Sequence, residues 1–239
     1  MTPSLTDGSR RTALALLLAG LLVALTAASG AAAAGWTVVL RESFSGYPAG
    51  EPWLDGSLHG NWRADFDGYG TTEVRKLDYR VLSQRPQVST APGETHASLV
   101  TTRARYGDVD LSVKLRTVRQ LRTGSAANPW EVAWVLWSYT DNLHFYYLVL
   151  KPNGWELGKE DPAYPGAQRF LATGNGSFPV GQWHTVRVQQ IGDRISVWAN
   201  GTLLTQLQDT ERPYLSGRVG LYNEDAEVRF TRVLISTRP

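Results

Sequence analysis

A chain of 239 residues with 24 Lys and Arg against 22 Asp and Glu carries a net charge of only +2. Its basic residues are scattered rather than blocked, which excludes a nucleic-acid partner or an anionic membrane surface held by charge. It has no cysteine, which excludes a disulfide framework and thiolate metal ligands, while nine Trp and ten Tyr are a high aromatic load for this length.

The first element is unlike the rest. Arg10 and Arg11 precede an uncharged Leu- and Ala-rich run over 13–28, and the small-residue tract 31–34 follows. Positive region, apolar run and A-x-A-like site form the pattern of a secretory signal peptide. An uncleaved anchor is the alternative, but the run is shorter than the roughly 20 apolar residues a spanning helix needs. Cleavage is expected after Ala34, with 28–33 as alternative sites. That gives a signal peptide over 1–34 and one domain over 35–239, exported and free of the membrane. Ser9-Arg10-Arg11-Thr12-Ala13-Leu14 also resembles a twin-arginine signal, so the export route is either that one or the general one.

From Trp36 onward the pattern has period two. Segment 36–44 reads as a strand, and a Gly/Pro-rich turn region over 46–56 follows. Segments 61–66, 73–82, 96–103 and 108–118 come next. In the last, Val109, Leu111, Val113, Leu115 and Thr117 alternate with Asp110, Ser112, Lys114 and Arg116, the mark of a half-buried antiparallel strand. After a polar loop over 120–129 come 131–139, 143–151 and 155–161, split by Thr140-Asp141-Asn142 and Pro152-Asn153-Gly154. Segments 184–191, 194–199, 202–207, 217–222 and 227–236 finish the chain, with Asn200-Gly201 a hairpin signal. About a dozen short strands and no amphipathic helical period predict an all-β, two-sheet antiparallel sandwich or jelly roll.

Four stretches fall in a familiar order: Gln182-Trp183-His184-Thr185-Val186-Arg187-Val188, Ile195-Ser196-Val197-Trp198-Ala199-Asn200-Gly201, Gly217-Arg218-Val219-Gly220-Leu221-Tyr222, and Val228-Arg229-Phe230-Thr231-Arg232-Val233-Leu234-Ile235. On these residues the chain resembles the concanavalin A-like lectin/glucanase superfamily. Within it, the chain is similar to 3-keto-disaccharide hydrolase-type and laminin-G-like domains of secreted bacterial proteins. The resemblance implies a concanavalin A-like jelly roll. It does not select an activity, because this fold hosts lectins, hydrolases, lyases and adhesion modules. The E-x-D-x-x-E strand of family 16 glycoside hydrolases is absent. In Glu156-Leu157-Gly158-Lys159-Glu160-Asp161, Glu156 and Glu160 can share a face, but no acid stands at 158. Domains of this superfamily often carry a structural calcium ion. Asp65 and Asp67, with Glu73, offer oxygen ligands in a Gly-rich loop, as Glu42 and Asp225 do near the chain ends; an exposed polar loop is the alternative. No cofactor is expected to be required.

The richest chemistry lies over 130–161. Alternation places Glu131, Trp137 and Tyr139 on one face of their strand, and His144 and Tyr146 on one face of the next. With Glu156 from the third, one face gathers Glu131, His144 and Glu156 as candidate acid/base groups and Trp137, Tyr139 and Tyr146 as candidate ligand-binding rings. Flat rings stack on the apolar faces of sugars, and carboxylates, His and Tyr hydroxyls bond their hydroxyl groups. The expected function is a monomeric, secreted domain that binds a polysaccharide or oligosaccharide on a concave sheet. A glycan-active hydrolase of the 3-keto-disaccharide type and a non-catalytic adhesion or structural module are the alternatives. A core role for the rings is the competing reading of each one.

Overall fold

The computed structural model describes residues 35–238, and the predicted signal peptide lies outside the described residues. Sixteen strands follow in chain order: β1 Thr37–Glu42, β2 Leu58–His59, β3 Trp62–Phe66, β4 Thr71–Lys76, β5 Arg80–Arg85, β6 Ala97–Thr102, β7 Val109–Gln120 and β8 Ala133–Asp141, then β9 His144–Lys151, β10 Gly154–Glu160, β11 Gln168–Gly174, β12 His184–Ile191, β13 Arg194–Ala199, β14 Thr202–Gln208, β15 Arg218–Glu224 and β16 Ala226–Thr237. They form two eight-stranded sheets. The first runs β14-β13-β12-β7-β16-β5-β4, with β1 also on β16; the second runs β11-β10-β9-β8-β15-β6-β3-β2. Every strand pairing within them is antiparallel. This is the two-sheet antiparallel jelly-roll sandwich that the sequence predicts.

Alternation decides which side chains meet between the sheets. On β7 and β12, Leu111, Val113, Leu115, Val186 and Val188 point inward, as their period predicts. They pack with Val135, Trp137, Tyr146, Leu148, Leu157 and Leu221 of the second sheet in one core. The Asn200-Gly201 hairpin forms with both residues at positive φ.

Two differences from the sequence reading have local causes. Segment 73–82 is not one strand but the β4–β5 hairpin, turned at 77–79, where the Leu77 amide donates to the Tyr79 carbonyl. Strand β11 gives no period-two signal because it is an edge strand of mixed exposure.

The second sheet differs from the first in carrying a buried apolar cluster on its outer face as well. Residues 133–139 of β8 are all buried. One set faces the core, while Trp134 and Leu136 join Leu99, Phe145, Tyr147 and Val149 in a second cluster on the outer face. A strand buried on both sides reads as an unbroken apolar run. That run is why the sequence pattern alone did not tell the inner face from the outer one.

Candidate functional site

Register sorts the aromatic segment. Trp137 pairs with Tyr146, and Glu156 pairs with Val149. Glu156 therefore shares a face with Val149, Tyr147 and Phe145, while Trp137 and Tyr146 lie on the other. A register offset of one residue moves a whole strand's set to the opposite face, and the expected grouping joined the wrong faces.

The predicted site residues consequently separate. Trp137 and Tyr146 are both 0% exposed in the core. The Trp137 indole Nε1–H donates to Gln190 Oε1 of the facing sheet at 2.9 Å. The Tyr146 hydroxyl donates to Asp209 Oδ2 at 2.6 Å, and Lys159 Nζ donates to the same oxygen at 2.7 Å. Neither ring is accessible from the protein surface. Glu131 is also buried and accepts from Arg122 Nε at 2.6 Å and Asn128 Nδ2 at 2.7 Å, so it is a structural ion-pair partner. His144 sits at the β8–β9 turn on the Tyr146 side, its Nδ1 2.8 Å from Asp141 Oδ1. The three candidate acid/base groups thus stand in three different places.

Tyr139 and Glu156 do face outward. Tyr139 leaves the Trp137 face because Ser138 adopts φ 50°, a bulge that breaks the period. Gly217 makes room for it; a Cβ there would collide with the Ser138 backbone. The Tyr139 hydroxyl donates to Asn142 Oδ1 at 2.8 Å, and burial, with the nearby charges of Asp65 and Asp141, pushes it up to about 12.

Asp65 and Asp67, the candidate calcium ligands, both bond within the protein. Asp65 accepts from Thr101 Oγ1 at 2.6 Å and pairs with Arg63 at 3.2 Å. Asp67 accepts from the Gly70 amide at 3.2 Å. Among the described residues, no group of three or more His, Asp or Glu is placed to hold a metal ion.

The outer face of the second sheet holds a cleft of about 410 Å³. Trp134, Phe145 and Tyr222 line its inner part, and the exposed rings of Trp130 and Phe170 stand on its rim. Glu156, Glu160 and Glu224 bring three carboxylates to it, with the amides of Gln168 and Asn142. Lys151 Nζ pairs with Glu156. The Tyr222 hydroxyl donates to Glu224 Oε1 at 2.8 Å. Burial pushes Glu224 up to about 7, aided by the charges of Asp225, Glu131 and Glu160 and opposed by the Tyr222 hydrogen bond. Burial also raises Glu160.

Neither Glu224 nor Tyr222 is among the sequence-predicted site residues; the acidic run Glu224-Asp225-Ala226-Glu227 reads as misplaced for a site because it lies next to the last strand. Topology puts β15 between β8 and β6, in mid-sheet. The available signal was parity, since Gly220, Tyr222 and Glu224 alternate on one strand.

Gly158 shapes this cleft. It lies between Glu156 and Glu160, where a Cβ would collide with the Tyr147 ring and hydroxyl. The hydroxyl in turn accepts from Gln168 Nε2 at 2.9 Å. Gly158→Ala is expected to cost about 1–3 kcal/mol by overpacking and to displace Tyr147. Urea unfolding together with near-ultraviolet circular dichroism checks both; an unchanged midpoint would show that the ring is not confined there.

The comparisons with known proteins agree with this architecture. A carbohydrate binding module, CBM66 from Bacillus subtilis, superposes with TM-score 0.54 at 14% identity, over 76% of this chain and 98% of that one. SCLam, a non-specific endo-β-1,3(4)-glucanase from family GH16, gives TM-score 0.57 at 14% identity, over 85% and 92%. A Bacillus licheniformis β-glucanase gives 0.51 at 14%, over 79% and 97%. At such identities the likeness is one of fold. No curated protein matches the sequence. The model of the 3-keto-alpha-glucoside-1,2-lyase-like domain matches residues 50–236, which span nearly the whole sandwich, and the chain belongs to that family.

Proposed function

We propose that this domain binds a carbohydrate in the cleft on the outer face of its second sheet. One observation carries the reading: the exposed rings of Trp130 and Phe170 flank three carboxylates above an aromatic floor. Rings offer flat apolar surface to the C–H faces of a sugar, while carboxylates and amides bond its hydroxyls. Three carboxylates in one cleft disfavour an anionic ligand. The family and the carbohydrate-directed proteins that share the fold support the same class of ligand. Trp130→Ala is the clean test, because only the Trp130 carbonyl, not its ring, receives the Trp134 Nε1–H bond. Glycan-array hits followed by calorimetric titration are expected to show affinity falling about tenfold or more, some 1.4 kcal/mol, with the unfolding midpoint unchanged. Wild-type protein that binds no glycan would end this reading.

A second, catalytic reading is favoured by Glu224. A carboxyl group that titrates near 7 beside other carboxylates is suited to general acid–base work. Elimination from a 3-keto-glucoside, the reaction in the family's name, needs one group to take the proton beside the ketone and another to protonate the leaving oxygen. Product release from 3-keto-glucosides that disappears in Glu224→Gln would support it.

We further propose that residues 1–34 direct export. Sequencing the secreted protein is expected to find Gly35 at its N-terminus.

A further inference from the structure

We infer that the binding site continues past the cleft, across the second sheet to an aromatic platform at Tyr69 and His96, so that its ligand is an oligosaccharide chain longer than a disaccharide. The inference rests on the carbohydrate reading above and adds the ligand's length and a second contact region.

The cleft does not end at Tyr222. A second cavity of about 190 Å³ shares Asn142, Phe145 and Tyr222 with it and continues over Leu99 to Phe66. A third, of about 300 Å³, shares Phe66 and extends over Ala97 to His96 and Tyr69. Strand register gives the same path independently. Glu156, Val149, Trp134, Tyr222, Leu99 and Phe66 are successive cross-strand partners from β10 to β3. Five inter-strand spacings make that row about 24 Å long, more than two sugar rings fill. Glu224 pairs with Ala97, so the third cavity begins beside the raised carboxyl group.

Tyr69 is the most exposed large hydrophobic side chain of the described residues, at 85%, and its backbone is left-handed at φ 60°. A bulky residue in that conformation is strained, and an exposed ring adds nothing to the core. Such strain gathers where a ligand uses the geometry. The loop that carries it is nevertheless fixed. Gly68 and Gly70 lie so close to Ala97 O and Arg85 O that neither admits a Cβ. Asp67 accepts from the Gly70 amide, and the Gln87 amide donates to Gly68 O at 2.9 Å. The Tyr69 ring stands edge-on to His96, with centroids 6.0 Å apart. His96 is itself held: its amide donates to Asp225 Oδ1 at 2.9 Å, and its Nδ1 lies 3.1 Å from Ser89 Oγ. A flat ring in water on a rigid loop at the end of an apolar groove is a stacking surface for a sugar.

The test is a calorimetric ladder of glucose, mannose and N-acetylglucosamine oligomers, from disaccharide to hexasaccharide, on the full domain. Wild-type affinity is expected to rise by about tenfold or more along the ladder. Tyr69→Asn keeps a residue type that tolerates the left-handed backbone and removes the ring. It is expected to abolish the gain for long chains and leave disaccharide affinity unchanged, while Tyr69→Phe retains the gain. Trp130→Ala is expected to weaken every length. A disaccharide that binds as tightly as a hexasaccharide overturns the inference while the carbohydrate reading stands, as does a Tyr69→Asn variant with undiminished hexasaccharide affinity. Absence of binding at every length overturns both.

Discussion

Arg122→Met is expected to destabilise the domain by about 3–5 kcal/mol, because it leaves two buried carboxylates without their cation. Arg122 Nε donates to Glu131 Oε1 at 2.6 Å and its Nη2 to Asp225 Oδ2 at 2.9 Å, and all three side chains are almost wholly inaccessible. The same guanidinium donates to the carbonyls of Ala91 and Glu94, each at 2.7 Å. One planar fork thus ties the segment before β6 to the turn between β15 and β16. A Lys substitution supplies one point charge where the geometry uses the whole fork, so Arg122→Lys is expected to recover little. In a domain of this size the loss corresponds to a fall in Tm of about 2–4 °C per kcal/mol. The Arg187–Asp110 pair is the control. It is equally close, at 2.5 Å, but its Arg is 44% exposed, so Arg187→Met is expected to cost about 0–1 kcal/mol. Urea midpoints measure both. If the two substitutions cost the same, the buried network is not what holds this end of the sandwich.

That network explains how the sequence misled about Glu131. A carboxylate beside Trp130 and Trp134 fits a sugar site, and nothing in its own segment reveals that its cation comes from the preceding loop. Arg122 precedes Glu131 by nine residues and Asp225 by 103. The site nevertheless depends on Glu131 at one remove. Through Arg122 it positions Asp225, which holds His96 and follows Glu224.

The sandwich was legible because its information is local. Alternation on β7 and β12, the Asn200-Gly201 turn and the Gly217-x-x-Gly220 strand each carry their own signal within a few residues. The site was only partly legible because it depends on facts between strands. The order β10-β9-β8-β15-β6-β3 brings Glu156, Glu224 and Tyr69 to one face, and no segment records that order. Where a strand is apolar on both faces, as β8 is, even the choice of inner face passes to its neighbours. The bulge at Ser138 then separates Trp137 from Tyr139, two residues that strict alternation keeps together. Of the rings and carboxylates that the sequence groups on one face, Tyr139 and Glu156 lie on the outer side of the second sheet, whereas Trp137 and Tyr146 carry the same chemistry and serve the core.

Glu224→Gln is expected to make the domain more stable at pH 8, by up to about 3 kcal/mol, and no different at pH 4. An unperturbed Glu titrates at 4.5, and burial moves this one to about 7. Between those values the folded protein keeps a proton that the unfolded chain has released. Wild-type stability therefore falls as pH rises through that window, and below it the residue contributes no pH dependence. Gln keeps an oxygen for the Tyr222 hydroxyl and carries no charge to desolvate, so the variant loses this fall. Guanidinium unfolding of both proteins at half-unit steps from pH 4 to 8 gives the difference curve. A flat difference would mean that solvent already reaches the carboxylate. A curve that opens between pH 4.5 and 7 would show a destabilising carboxyl group kept at the junction of the cleft and the groove. Substitutions that trade stability for function gather at such places. The same titration then sets the pH at which the cleft changes from holding a neutral acid to holding an added negative charge. Sugar binding in wild type is expected to shift across that window, and in Glu224→Gln to lose that shift.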